Sequence, residues 1–155
     1  MTWEMLVVDE KGRDETRTRV FLVDSTNQSR RLLAKTHDHY EHLDACLSPG
    51  NARAILLKMQ EIDGDRDEFI EVFDPVTLKP VISLTNWPVD KISFSKDGKL
   101  MFLQAKLETG TPIEAVLDLF RGDKVEGVSR AHDAASLVSI ADLLKQRRRG
   151  EKKIS

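Results

Sequence analysis

The densest group of side chains that could do chemistry is His37-Asp38-His39-Tyr40-Glu41-His42-Leu43-Asp44, which holds three of the four histidines. On an extended strand His37 and His39 share a face, and neutral imidazoles are good zinc ligands. The spacing is not that of a standard zinc site, and no cysteine pair assists. The sequence therefore predicts a solvated connector between strands. Asp63-Gly64-Asp65-Arg66-Asp67-Glu68 carries part of the spacing of a calcium-binding loop. The full pattern needs Gly at its sixth place and Glu at its twelfth, where this chain has Glu68 and Asp74. An exposed acidic hairpin loop is the expectation. The single cysteine, Cys46, lies four residues after His42 on the same strand face. Within a strand, a buried and inert thiol is the ordinary state. There is no Gly-x-Ser-x-Gly elbow and no phosphate-cradling glycine loop. The sequence assigns no catalytic, cofactor or metal residue.

The C-terminal end carries the strongest functional signal. Leu137, Val138, Ile140, Ala141 and Leu144 recur at spacings of three and four, which predicts an amphipathic helix over 134–146. Asp133 suits its N-cap and Gly150 its end. The rival reading makes Leu137 to Ile140 one more strand. Arg147, Arg148 and Arg149 follow, as the core of a basic tail. Residues 1–133 are read as the body and 134–155 as helix and tail. The stripe is expected to pack on the β body, with the basic residues solubilising the end; the functional alternative makes Leu137, Ile140, Leu144 and the three arginines candidate partner-binding residues, as a helix laid in a groove and steered toward an acidic surface. Trp87, in the loop Asn86-Trp87-Pro88, is a candidate aromatic anchor.

The elements that must position these residues are mostly strands. Trp3 to Val8, Val20 to Val23, Arg30 to Ala34, His42 to Leu47, Phe69 to Phe73, Pro80 to Leu84, Val89 to Phe94, Leu100 to Ala105 and Ile113 to Asp118 are short, apolar and β-compatible. A return strand is expected at Lys124 to Val128. Ala54 to Met59 has no strict period and fits strand or helix. A phrase recurs: Leu22-Val23-Asp24, Val72-Phe73-Asp74 and Val116-Leu117-Asp118, spaced 50 and 44 residues apart. A second landmark, Ser48-Pro49-Gly50 and Ser95-Lys96-Asp97-Gly98, alternates with it at an interval of 47. Two landmarks recurring in order at such a period signal a repeat architecture.

Charge narrows the classes. Six of the 24 basic residues fall between Lys145 and Lys153, beside one of the 26 acids. The remainder carries 18 basic and 25 acidic side chains, a formal charge of −7. An acidic body repels a phosphate backbone, which argues against nucleic acid as the partner. A lone cysteine builds no internal disulfide, no apolar run reaches the length of a membrane helix, and the first residues lack a signal-peptide pattern. A cytoplasmic protein, or a nuclear one in a eukaryote, is the expectation.

The stretch Ile70-Glu71-Val72-Phe73-Asp74, Pro80 to Leu84, and Val89 through Ser95-Lys96-Asp97-Gly98 to Leu100 resembles one blade of a WD-repeat-like β-propeller. Val20 to Gly50 and Ile113 to Ile140 match more loosely. The resemblance implies blades of four antiparallel strands. The chain departs from that family where Val23, Phe73 and Leu117 replace the Trp of its Trp-Asp pair, and the Gly-His pair is absent. It also holds too few repeats for a closed ring of about four or more blades. An open array covered by a partner, a ring completed by self-association, and an unrelated antiparallel β fold all fit. The expected class is mainly β, with antiparallel blade-like repeats and a C-terminal amphipathic helix. The expected function is non-enzymatic binding of another protein, or self-association, through an exposed sheet edge or the helix. The alternative is a small metal- or ligand-binding β domain, enzymatic or not, using His37 to Asp44.

Overall fold

In a computed structural model, residues 2–13, 15–37, 40–85, 90–126 and 137–153 are described, the last three by their backbone alone. Among the described residues, twelve strands form three four-stranded sheets, accompanied by one short α-helix. The first sheet contains β1 (Trp3–Lys11), β2 (Thr16–Asp24) and β3 (Arg30–Lys35). The second is a plain meander of β4 (Glu41–Leu47), β5 (Ala54–Ile62), β6 (Asp65–Phe73) and β7 (Pro80–Thr85). The third contains β8 (Lys91–Ser95), β9 (Leu100–Lys106), β10 (Pro112–Asp118) and β11 (Leu137–Ser139), in the order β10-β9-β8-β11. The helix α1 (Ile140–Lys145) then leads to β12 (Arg148–Lys153), which returns to the first sheet and pairs with β1. All pairings are antiparallel except this last one, which is parallel.

The sheets stack face to face like successive propeller blades. One core lies between the first and second sheets, where Trp3, Met5, Val7, Val20 and Leu22 meet Leu43, Ala45, Ala54 and Leu56. A second core lies between the second and third, where Cys46, Ile55, Ile70 and Val72 meet Phe94, Met101, Leu103 and Leu117. The middle sheet is thus buried on both faces. Ala54 and Leu56 point one way, Ile55 and Leu57 the other. A strand covered on both sides has no polar face to alternate with. That is why Ala54 to Met59 shows no strict period in sequence.

The three aspartates occupy equivalent positions. In each turn the Asp amide donates to the carbonyl five residues on: Asp24 to Ser29 (2.9 Å), Asp74 to Lys79 (3.0 Å), Asp118 to Asp123 (2.9 Å). The carboxylate accepts from the amide two residues on: Thr26 (2.9 Å), Val76 (2.8 Å), Phe120 (2.8 Å). The fifth residue of each turn has positive φ: Gln28 (60°), Leu78 (57°) and Gly122 (80°). Short Asp side chains favour such turns because they satisfy the backbone locally. The serine landmark is structural as well. Ser48 Oγ accepts from the Arg53 amide and Ser95 Oγ from the Leu100 amide, each at 3.0 Å.

Three expectations are corrected. The segment 134–146 is not one helix: within the described residues, Leu137–Ser139 is a strand on β8 and only Ile140–Lys145 is helical. Pairing with the open edge of β8 overrides the helical spacing there. Ser139 caps the helix, its Oγ accepting from the Asp142 amide at 3.3 Å. The expected cap, Asp133, lies outside the described residues. Nor are Arg148 and Arg149 a tail beyond the fold, because they form β12, and Gly150 sits inside that strand. Finally, of the expected return strand at Lys124 to Val128, residues 127 and 128 lie outside the described residues, and 124–126 form no strand but one bridge between Leu117 and Lys124 and a bond from the Val125 amide to the Val116 carbonyl (2.8 Å).

Candidate partner-binding surface

The C-terminal candidates are engaged within the molecule. Leu143 is 4% exposed and belongs to the second core, with Val138, Ile140 and Leu144 packed against it. Leu137 is half-buried on β11. Leu143 lay outside the spacing pattern read from the sequence. Each arginine meets a carboxylate of the body. Arg147 Nε lies 2.7 Å from Asp44 Oδ1 on β4, Arg148 Nη1 lies 3.6 Å from Glu4 Oε2 on β1, and Arg149 pairs with Asp9 on β1. Arg147 Nε is buried and makes no linear hydrogen bond, so its contact with Asp44 is electrostatic; its Nη1 donates to the Leu144 carbonyl. Asp9 is held from the other side by the Thr18 hydroxyl, at 2.9 Å. The acidic partners Glu4, Asp9 and Asp44 carry no spacing signal that marks them in sequence. The charge asymmetry was the visible trace of them. Trp87 lies outside the described residues.

The histidine cluster is divided. Asp38 and His39 are outside the described residues. The His37 amide donates to Glu41 Oε2 (2.8 Å), and Glu41, itself buried, also meets Lys58 Nζ at 3.6 Å. His42 is exposed on β4. Among the described residues, no three His, Cys, Asp or Glu side chains are placed to hold a metal ion. Asp63 and Gly64, both with positive φ, form the two-residue turn of the β5–β6 hairpin, and the acidic run around them is exposed. Cys46 is buried, and its thiol pKa is pushed up to about 12 by desolvation, then by the Asp44 charge, with Arg147 opposing.

The outer sheet edges differ from one another. On β7, which begins with Pro80, the Val81 carbonyl lies only 2.5 Å from where a Cβ on Gly122 would stand, so the turn of the third sheet crowds it. On β10, the bridge to Lys124 closes part of the edge. Among the described residues, β3 pairs only with β2. Arg30 and Lys35 are exposed at its two ends, and Leu32 at its middle is 47% exposed opposite half-buried Phe21. Arg31 Nη1 donates to the Val76 carbonyl (2.9 Å), fixing one end of this edge to the second sheet. Beside β3, between the first two sheets, opens a cleft of about 410 Å³ lined in part by Lys35, His37, Lys58 and Glu71. A second cleft of about 340 Å³, between the second and third sheets, is lined in part by His42, Asp44, Leu57, Met59, Ile70 and Ile92.

No protein-family model and no curated protein matches the chain. Solved structures do. The β-propeller domain of the trilobed protease from Pyrococcus furiosus, described as having an open velcro topology, aligns at TM-score 0.50 and 12% identity, over 81% of this chain and 42% of that one. An oligogalacturonate lyase in complex with manganese aligns at TM-score 0.43 and 18% identity, over 71% and 32%. TolB from Acinetobacter baumannii aligns at TM-score 0.26 and 13% identity, over 79% and 46%. The chain spans less than half the length of each. At 12% identity the likeness to the first of these is one of fold alone, propeller-like; this chain is mainly β, with three four-stranded sheets among the described residues. Among the described residues, no helix is long and apolar enough to cross a membrane.

Proposed function

We propose that this chain is a non-enzymatic interaction module that takes an extended, acidic segment of another protein onto the edge of β3. The observation that carries this is the strand itself: its outward row of backbone groups has no strand partner among the described residues, and Arg30, Arg31 and Lys35 lie along it. Edge strands guarded by cations repel like edges and resist self-pairing. The same charges attract an acidic strand, to which the main chain offers hydrogen bonds while alternate side chains reach the neighbouring cleft. A fluorescent eight-residue peptide alternating valine and glutamate tests this by anisotropy. Saturable binding that weakens as salt rises is expected, and Arg30→Glu with Lys35→Glu abolishes it. Equal binding by that double variant would refute the reading.

One observation favours a second reading, a small-ligand domain using the sequence cluster around His42 and Asp44. Both residues line the apolar-floored 340 Å³ cleft, within the size range of small-molecule sites. Met59 lines it half-buried, whereas Met5 and Met101 are buried in the cores. With ¹³C-methyl methionine, a small-molecule library that shifts Met59 alone supports this reading. A library that leaves Met59 unmoved removes it.

A further inference from the structure

The second sheet shows how this chain builds a blade by succession: each strand pairs with the next one in sequence. The first sheet does not. Its inner position, beside β1, is filled by β12 from the far end of the chain, in parallel register from Leu6↔Arg148 to Lys11↔Lys153. The slot is charged to suit its occupant. Glu4 and Asp9 on β1 meet Arg148 and Arg149, and Asp44 on β4 meets Arg147. Only Gln146 and Arg147 link α1 to β12.

We infer that the inner edge of β1, with Glu4 and Asp9, is a docking slot for a basic extended segment, and that a second copy of this chain can supply it through its own Arg148–Lys153. The strand seated in the slot shows the chemistry the slot recognises. An edge filled from a distant part of the chain makes the same contacts whether the strand comes in cis or in trans, which is the basis of domain swapping. The two-residue connection gives α1 and β12 little slack, and short hinges favour exchange. The slot is separate from the β3 edge, on the opposite side of the same sheet.

The test uses two full-length variants, Asp9→Arg and Arg149→Asp, one of them ¹⁵N-labelled. Alone, each sets like charges against each other in its closed form. Mixed, a reciprocal exchange restores both pairs at once. Native mass spectrometry of the refolded mixture at low salt is expected to show the mixed dimer at least tenfold above either same-chain dimer, with loss of the excess in high salt. Monomers only, or the three dimers in the proportions of random pairing, would overturn the inference. Glu4→Arg with Arg148→Glu repeats the design independently. Should single variants fail to fold, recovery of the β circular-dichroism signal on mixing supports exchange, and no recovery counts against it.

Discussion

Arg147 Nε and Asp44 Oδ1 approach to 2.7 Å, joining the connection after α1 to β4, an edge strand of the middle sheet. With β11 on the third sheet and β12 on the first, residues 137–153 touch all three sheets in turn. The basic end of the chain therefore acts as a clasp on an acidic body.

Removing Asp44 leaves a half-buried guanidinium without its carboxylate. Asp44→Ala is expected to cost about 1–3 kcal/mol, as for a polar group stripped of its partner. Arg147→Ala and the double variant complete a cycle whose coupling is at least about 0.5 kcal/mol. Urea midpoints measure all three. Additive single effects would show that the pair is not coupled.

The glycines at the sheet junctions are predicted to be unequal. Gly64, Gly98 and Gly122 all have positive φ, so an alanine at any of them is strained by about 1–2 kcal/mol. A Cβ at Gly64 meets nothing within 4 Å. At Gly98 it would stand 2.1 Å from the Pro49 carbonyl oxygen, in the turn between β4 and β5, and at Gly122 2.5 Å from that of Val81 on β7. Thermal melts should show Gly98→Ala and Gly122→Ala losing clearly more stability than Gly64→Ala. The reverse order would mean that the sheets are not locked together at these turns.

Acid stability has a defined source. The Asp97 carboxyl is held below its ordinary range by the Ser95 hydroxyl and the Lys99 amide, and that of Asp118 by the Arg121 and Phe120 amides. The folded chain therefore binds fewer protons at these sites than the unfolded chain. Their contribution is present above about pH 4 and is lost as pH falls through the folded values. Asp97→Asn and Asp118→Asn should each flatten the acid limb of stability against pH. Denaturant titrations at several acidic pH values check this, and an unchanged slope would contradict it.

Cys46 should behave in the opposite sense. With its thiol pushed up to about 12, almost none is ionised in the folded chain at pH 8. A free thiol near 8.5 would react roughly a thousandfold faster on thiolate fraction alone. As pH rises above about 8.5 the unfolded chain releases this proton and the folded chain keeps it, so stability falls. Thiol-reagent kinetics in native buffer and in denaturant separate the two states. Fast native labelling would show that burial does not protect the sulfur.

Much of the architecture was legible because it is local. The Asp24, Asp74 and Asp118 turns are satisfied within six residues, and the Ser48 and Ser95 turns likewise, so their recurrence in sequence is a recurrence in structure. Strand positions followed for the same reason. The candidate surface was less legible. Leu32, which marks the β3 edge, is one apolar residue among many, and exposure is not encoded by type.

What the sequence determined alone was the repeat: apolar runs of strand length, punctuated by side chains that close their own turns. What the tertiary structure decided was the fate of the ends. Leu137–Ser139 became a strand because β8 offered an open edge, and Arg148–Lys153 became one because β1 did. The charges of Glu4, Asp9 and Asp44 met the arginines only once the sheets had brought opposite ends of the chain together. Pairing over more than a hundred residues is set by which edges remain free after local folding, and no short window of sequence holds that information.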